Sequence, residues 1–194
     1  VHPLWPLSML NNVAAGQIAT DLDIRGDNLV LASDAVCGVR AVLEAARAVR
    51  EGIVDAAIAA GVSERVCPAA LARRFHAGPG IPMGEGGAAL VLTRAVDDAS
   101  LILLGGATAF GTIARRGADQ RASEQALAQA GPVDTRPLSD ARTGVGDLGP
   151  GQATFAIARA AHDLEPGEAG MLLIDRDGSG MGPGVGALIV ERPA

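Results

Sequence analysis

From Gly38 onward, apolar residues recur at Val39, Val42, Leu43, Ala46 and Val49, while Arg40, Glu44, Arg47 and Arg50 fall largely between them. That spacing lines one face of a helix, and Glu51-Gly52 supplies its stop. The same reading predicts a helix over residues 119–130, ended by Gly131-Pro132, and another over 152–164. Short apolar runs bounded by turn residues predict strands at 29–32, 53–60, 88–92, 100–105, 171–174 and 185–190. The alanines of 53–60 also suit a helix, and its length favours a strand. The stretch 131–151 is rich in Gly, Pro and Asp and reads as loop. The order of elements is that of an α/β chain in two similar halves, 1–96 and 97–194, forming one compact unit with helices on the sheet faces.

Composition narrows the packing. Of 194 residues, 48% are hydrophobic and only 2% aromatic, with one Trp, three Phe and no Tyr. The core must therefore be built from Ala, Val, Leu and Ile set closely around glycine. All 16 basic residues are Arg, which points to a GC-rich coding sequence and a bacterial source. A formal charge of -6 without a basic stripe excludes a nucleic-acid surface. The longest uncharged run, residues 1–20, is broken by His, Pro, Asn and Gln and is not the continuous apolar stretch of roughly 20 residues that a bilayer span needs, and the opening Val1-His2-Pro3 does not read as a signal segment. The chain reads as cytoplasmic, with no membrane partner.

Cys37 and Cys67 have no CxxC spacing, so neither a zinc site nor a disulfide framework is indicated. Asp21 with Asp23, and Asp175 with Asp177, lack the spaced ligands of a calcium loop, and no metal is assigned. The glycines of 84–87 and 178–184 do not follow a strand into a helix in a phosphate-binding pattern, and no cofactor is assigned. The chemically informative segment is 29–41, a strand turning abruptly into an Ala-rich helix. Unpaired N–H groups at a helix start lower a thiol pKa and stabilise an oxyanion, which makes Cys37 a candidate nucleophile. The favoured reading of a small thiol there is a packing residue. His2, His76 and His162 have no carboxylate or thiol that the sequence places beside them.

Several segments in order carry a resemblance. Pro3-Leu4-Trp5, the stretch 11–18, Arg25-Gly26-Asp27-Asn28-Leu29 and the following helix resemble the β-ketoacyl synthases of the thiolase fold. The strand ending Gly61-Val62-Ser63-Glu64, the run Met83-Gly84-Glu85-Gly86-Gly87 and the loop Gly178-Ser179-Gly180-Met181-Gly182 are similar to that family's later motifs. The resemblance implies a thiolase-like layered α/β/α sandwich, truncated relative to a full ketosynthase. It also implies what is missing. With the family's glycine placed on Gly38, Ala35 stands at the nucleophilic Cys position, and Cys37 falls two residues later, turned by about 200° around the helix. No His-Gly-Thr-Gly-Thr loop occurs between Gly131 and Gly144, and Asp147 stands where the second His is expected.

Condensation needs a thiolate to hold the acyl group and two imidazoles to stabilise the enolate. The resemblance therefore implies no catalytic residue and an accessory role like that of a chain-length factor in polyketide or fatty-acid assembly, beside a ketosynthase-family subunit in a hetero- or homodimer and an acyl carrier protein. Residues 29–32 are the interface candidate, and sheet edges left without neighbours favour association. Two alternatives stay open. One is an acyltransferase or thioesterase-like enzyme using Cys37, or less favourably Ser33, with Asp34 or Asp147 helping a distant His; the other is a structural interaction module. Residues preceding Val1 in the gene product remain open too.

Overall fold

The structure is a computed structural model that describes residues 10, 12–32, 35–64, 66–77, 82–94, 97–110, 117–139, 145–175 and 184–194. The chain divides into two units, Val1–Ala32 and Ser33–Ala194. In the first, α1 (Val13–Asp21) has no buried residue. Residues 29–32 form no strand: Leu29 is 62% exposed and no described strand pairs with this run. An isolated apolar run becomes a strand only where a neighbour completes its ladder.

The second unit is layered. Helix α2 (Val36–Arg50) buries Val36, Cys37, Gly38, Val39, Val42 and Val49, the stripe that the sequence periodicity marks. Strands β1 (Ala56–Ser63) and β2 (Gly86–Thr93) pair antiparallel as a two-stranded sheet. Between them in sequence, α3 (Pro68–Ala77) forms where no element is predicted, its Pro68 suited to a first helical turn. A four-stranded sheet follows, in the order β3-β6-β5-β4, from β3 (Ile102–Phe110), β4 (Thr135–Pro137), β5 (Ala169–Asp175) and β6 (Gly184–Glu191). Its pairs are antiparallel except β4 with β5. The three-residue β4 lies inside the stretch expected to be loop. Two further helices are α4 (Ala118–Ala130), stopped by Gly131 at φ +79°, and α5 (Gln152–Asp163).

Helices α2 and α5 lie between the two sheets: α2 packs on β1 and β6, and α5 on β1, β2 and β5. Their inner residues Val39, Val42, Ala153, Ala156, Ile157 and Ala160 join Leu172, Ile174 and Leu188 of the larger sheet. On that sheet's other face, α4 sets Ala118, Ala122 and Ala126 onto Ala107, Ala109, Val185, Ala187 and Ile189. Small residues make the layers close: a Cβ at Gly186 would lie 2.7 Å from Val39 Cγ2. The tail of α5 is tied by guanidiniums, with Arg136 Nη2 donating to the Asp163 carbonyl and Arg192 Nη1 to that of Leu164 at 2.8 Å. Cations suit these terminal carbonyls. Among the described residues, no helix is long and apolar enough to cross a membrane.

Candidate functional site

The site is the meeting of two helix starts. The first turn of α2 carries Ala35 as its cap, then Val36, Cys37 and Gly38. Gly38 faces the Pro150 carbonyl and Ala153 so closely that a Cβ there would overlap the oxygen. Pro150 belongs to a 3-10 turn, Gly149–Gly151, that runs directly into α5. Two positive helix ends therefore converge on one place.

The turn ahead of α5 is built around Asp147, which is 4% exposed. Its Oδ1 accepts the Gly149 N–H at 2.9 Å, closing a side-chain turn. Its backbone is laced to the segment before β2, with Asp147 N–H donating to the Pro82 carbonyl at 2.8 Å and Gly84 N–H donating to the Asp147 carbonyl at 3.1 Å. Gly146 takes φ +81° and lies against that same segment, where a side chain would meet the Pro82 carbonyl. Glycine is what this crossing allows.

Two buried polar residues complete the site and were not singled out from the sequence. Gln152 Oε1 accepts the Leu148 N–H at 2.9 Å, and Thr154 Oγ1 donates to the Gly151 carbonyl at 3.2 Å. Both side chains are fully buried. The available signal is their position: polar residues in the first turn of an amphipathic helix, where orphan backbone groups need partners.

Of the residues marked from sequence, the structure brings the turns of Ala35 and Asp147 into one neighbourhood through Gly38 and Pro150. Ala35 is 4% exposed and packs in the core beside Ala153. Cys37 is buried in α2 and Cys67 is half-buried. His162 is exposed on the last turn of α5. Ser33, Asp34, His2, Asp177, the loop 178–183 and the Pro3-Leu4-Trp5 segment lie outside the described residues, as does the side chain of His76. Among the described residues, no three His, Cys, Asp or Glu cluster as a metal site would require.

A second concavity, of about 300 Å³, is lined by Asp134, Thr135, Arg136, Gly167, Glu168 and Ala169. Its cation is committed: Arg136 Nε pairs with Glu168 at 3.2 Å while Nη2 caps α5. The groove is accounted for as a structural tie.

Chemically, the first site has helix-end N–H groups and a carboxylate. An ionised carboxylate only accepts hydrogen bonds, whereas a protonated or neutral imidazole donates one. The Asp147 carboxylate is an acceptor at this turn, and one of its oxygens is taken by the Gly149 N–H.

Residues 1–78 match the family described as Beta-ketoacyl synthase, N-terminal domain. Solved structures share the fold. The ishigamide ketosynthase/chain length factor superposes with a TM-score of 0.73 at 20% identity, over 97% of this chain and 63% of that one. An oxazolomycin ketosynthase domain from Streptomyces albus gives 0.79 at 14% identity, over 95% and 50%. The AbyA1 tetronic acid condensing enzyme gives 0.68 at 15% identity, over 91% and 73%. The chain thus has the thiolase-like fold of these ketosynthases. It spans half to two-thirds of the length of the first two of these structures. No curated protein matches it.

Proposed function

We propose that this chain is a non-condensing accessory subunit of bacterial polyketide or fatty-acid assembly, acting in the manner of a chain-length factor beside a ketosynthase-family subunit. Acyl carrier protein is the second partner of this reading, and the growing acyl thioester is its ligand class. The observation that carries it is the close approach of the two helix starts through Gly38 and Pro150, where the resemblance sets a methyl group, Ala35, at the place of the nucleophile and a carboxylate, Asp147, at the place of an imidazole. Ala35 is buried and offers no bond-forming atom, and Asp147 spends an oxygen on its own turn. Without a thiolate no acyl-enzyme forms, and without an imidazole donor the enolate loses its stabilising hydrogen bond. What persists is the scaffold that would shape an acyl tunnel.

The rival acyltransferase reading rests on Cys37. Cys37 is buried within α2, where its sulfur is closed to an acyl donor, so its position argues against that reading.

The test is intact mass after incubation with acyl-thioester donors, for wild type and Cys37→Ala, alone and with a competent ketosynthase. The expected result is no adduct on this chain and acylation of the ketosynthase. An adduct that disappears with Cys37→Ala would make this an acyl-carrying enzyme and end the accessory reading. No adduct together with no association would leave a structural module.

A further inference from the structure

The four-stranded sheet ends in its shortest strand. β4 spans three residues, Thr135–Pro137, and pairs on one side only, with β5, whereas β6 spans eight residues between β3 and β5. Among the described residues no strand lies beyond β4. Its ladder sets Thr135 against Ala169, Arg136 against Gly170 and Pro137 against Met171, and is extended by one bond in which the Leu138 N–H donates to the Met171 carbonyl at 2.8 Å. Pro137 has no N–H to give. A short ladder on an exposed edge is the mark of low local stability, so what holds β4 in place must be sought in side chains.

Two apolar pegs and one cation supply the hold. Val133, ahead of β4, packs into the cluster on the α4 face of the sheet, and Leu138, behind it, packs into the cluster on the α2 and α5 face. Leu138 lies over Gly170, where a Cβ would fall 2.5 Å from its Cγ, so the glycine is the seat of that peg. Both pegs are only partly buried. Between them Arg136 reaches the end of α5, its Nη2 donating to the Asp163 carbonyl and its Nε to Glu168 Oε2 at 3.2 Å. That same oxygen accepts the Glu165 N–H at 2.9 Å, so the turn that follows α5 and the edge strand hang on one carboxylate atom. At the head of the segment Gly131 takes φ +79° with open space where a side chain would stand, which makes it a joint.

We infer that residues 132–138 form a strap that opens as a local unit while the rest of the four-stranded sheet stays folded, with the Arg136 guanidinium as its latch. Opening frees the Asp163 carbonyl at the end of α5 and bares the edge of β5 over residues 169–171, a row of backbone groups able to take another strand. The latch is an ion pair of substantially exposed side chains, so salt loosens it. This inference does not depend on the accessory reading above.

The test is native-state amide hydrogen exchange of the full chain, read residue by residue at neutral pH across a series of sub-denaturing urea concentrations. After correction for intrinsic rates, the Leu138 amide should exchange at least about a hundredfold faster than that of Leu188 in β6, and its rate should be nearly indifferent to urea while that of Leu188 rises with it. Arg136→Gln should raise the Leu138 rate about three- to tenfold and leave β6 unchanged. High salt should raise the wild-type rate and have no effect on Arg136→Gln. Asp163→Asn, which removes the carboxylate paired with Arg159 and keeps the carbonyl, is the control and should leave Leu138 unchanged. A Leu138 amide that exchanges with the urea dependence of β6 would overturn the inference, because β4 would then open only with the whole fold. An Arg136→Gln variant that leaves Leu138 unchanged, or speeds β6 in equal proportion, would overturn it too. Should Arg136→Gln not fold, the urea and salt dependence of the wild-type protein decides alone.

Discussion

Gly38 in α2 is held against the carbonyl oxygen of Pro150, the residue two places before α5 begins, with no room for a side chain between them. The obstacle is backbone on one side and the Ala153 methyl on the other, so neither yields as a flexible side chain would. Gly38→Ala is therefore expected to destabilise the fold by about 1–3 kcal/mol, the ordinary cost of overpacking. Urea denaturation checks it. An unchanged midpoint would mean that the two helix starts separate at little cost.

The buried carboxylate of Asp147 has a structural duty that can be measured apart from any catalytic one. Asp147→Ala leaves the Gly149 N–H without its acceptor and should cost about 1–3 kcal/mol. Asp147→Asn keeps an acceptor oxygen and should recover much of that loss. Equal destabilisation by both would show that the charge, rather than the acceptor, holds the turn.

Much of this arrangement was legible in the residues. The stripes of α2, α4 and α5, and the apolar runs of β1, β2, β3, β5 and β6, follow from periodicity because each element buries one defined surface. The run 29–32 reads identically to a strand, yet Leu29 stays exposed, because strand formation depends on a neighbour that the run's own sequence does not encode. β4 escapes for the converse reason: Thr135-Arg136-Pro137 has no apolar pattern and is a strand only through its pairing with β5. At the site, the positions of Ala35 and Asp147 were marked by resemblance. The parts of Gln152 and Thr154 were not, since a buried polar residue is recognised by the backbone groups it meets.

Cys37 offers a direct test of burial. In the native protein it should react with iodoacetamide at least about a hundredfold more slowly than in urea, since alkylation requires an accessible thiolate. Cys67 is half-buried and serves as the internal reference, so peptide mapping of both sites separates them. Rapid labelling of Cys37 under native conditions would instead mark the start of α2 as open to reagents.

At the far end of α5, Glu168 supplies a pH dependence with a definite sign. The Glu165 N–H donates to its Oε2 at 2.9 Å, and Arg136 lies beside it, so its carboxyl is held below the usual glutamate range, the hydrogen bond being the larger cause. The unfolded chain takes up the proton first as pH falls, so the contribution of Glu168 is complete above the ordinary glutamate value. It is lost as pH drops through the depressed one. The difference in urea midpoint between wild type and Glu168→Gln should be present at pH 7 and vanish towards pH 3. It should also shrink in high salt, because both partners are substantially exposed. A difference that grows on acidification would mean that the folded state favours the protonated carboxyl, and that Arg136 is held at the end of α5 by its carbonyl contact without help from Glu168.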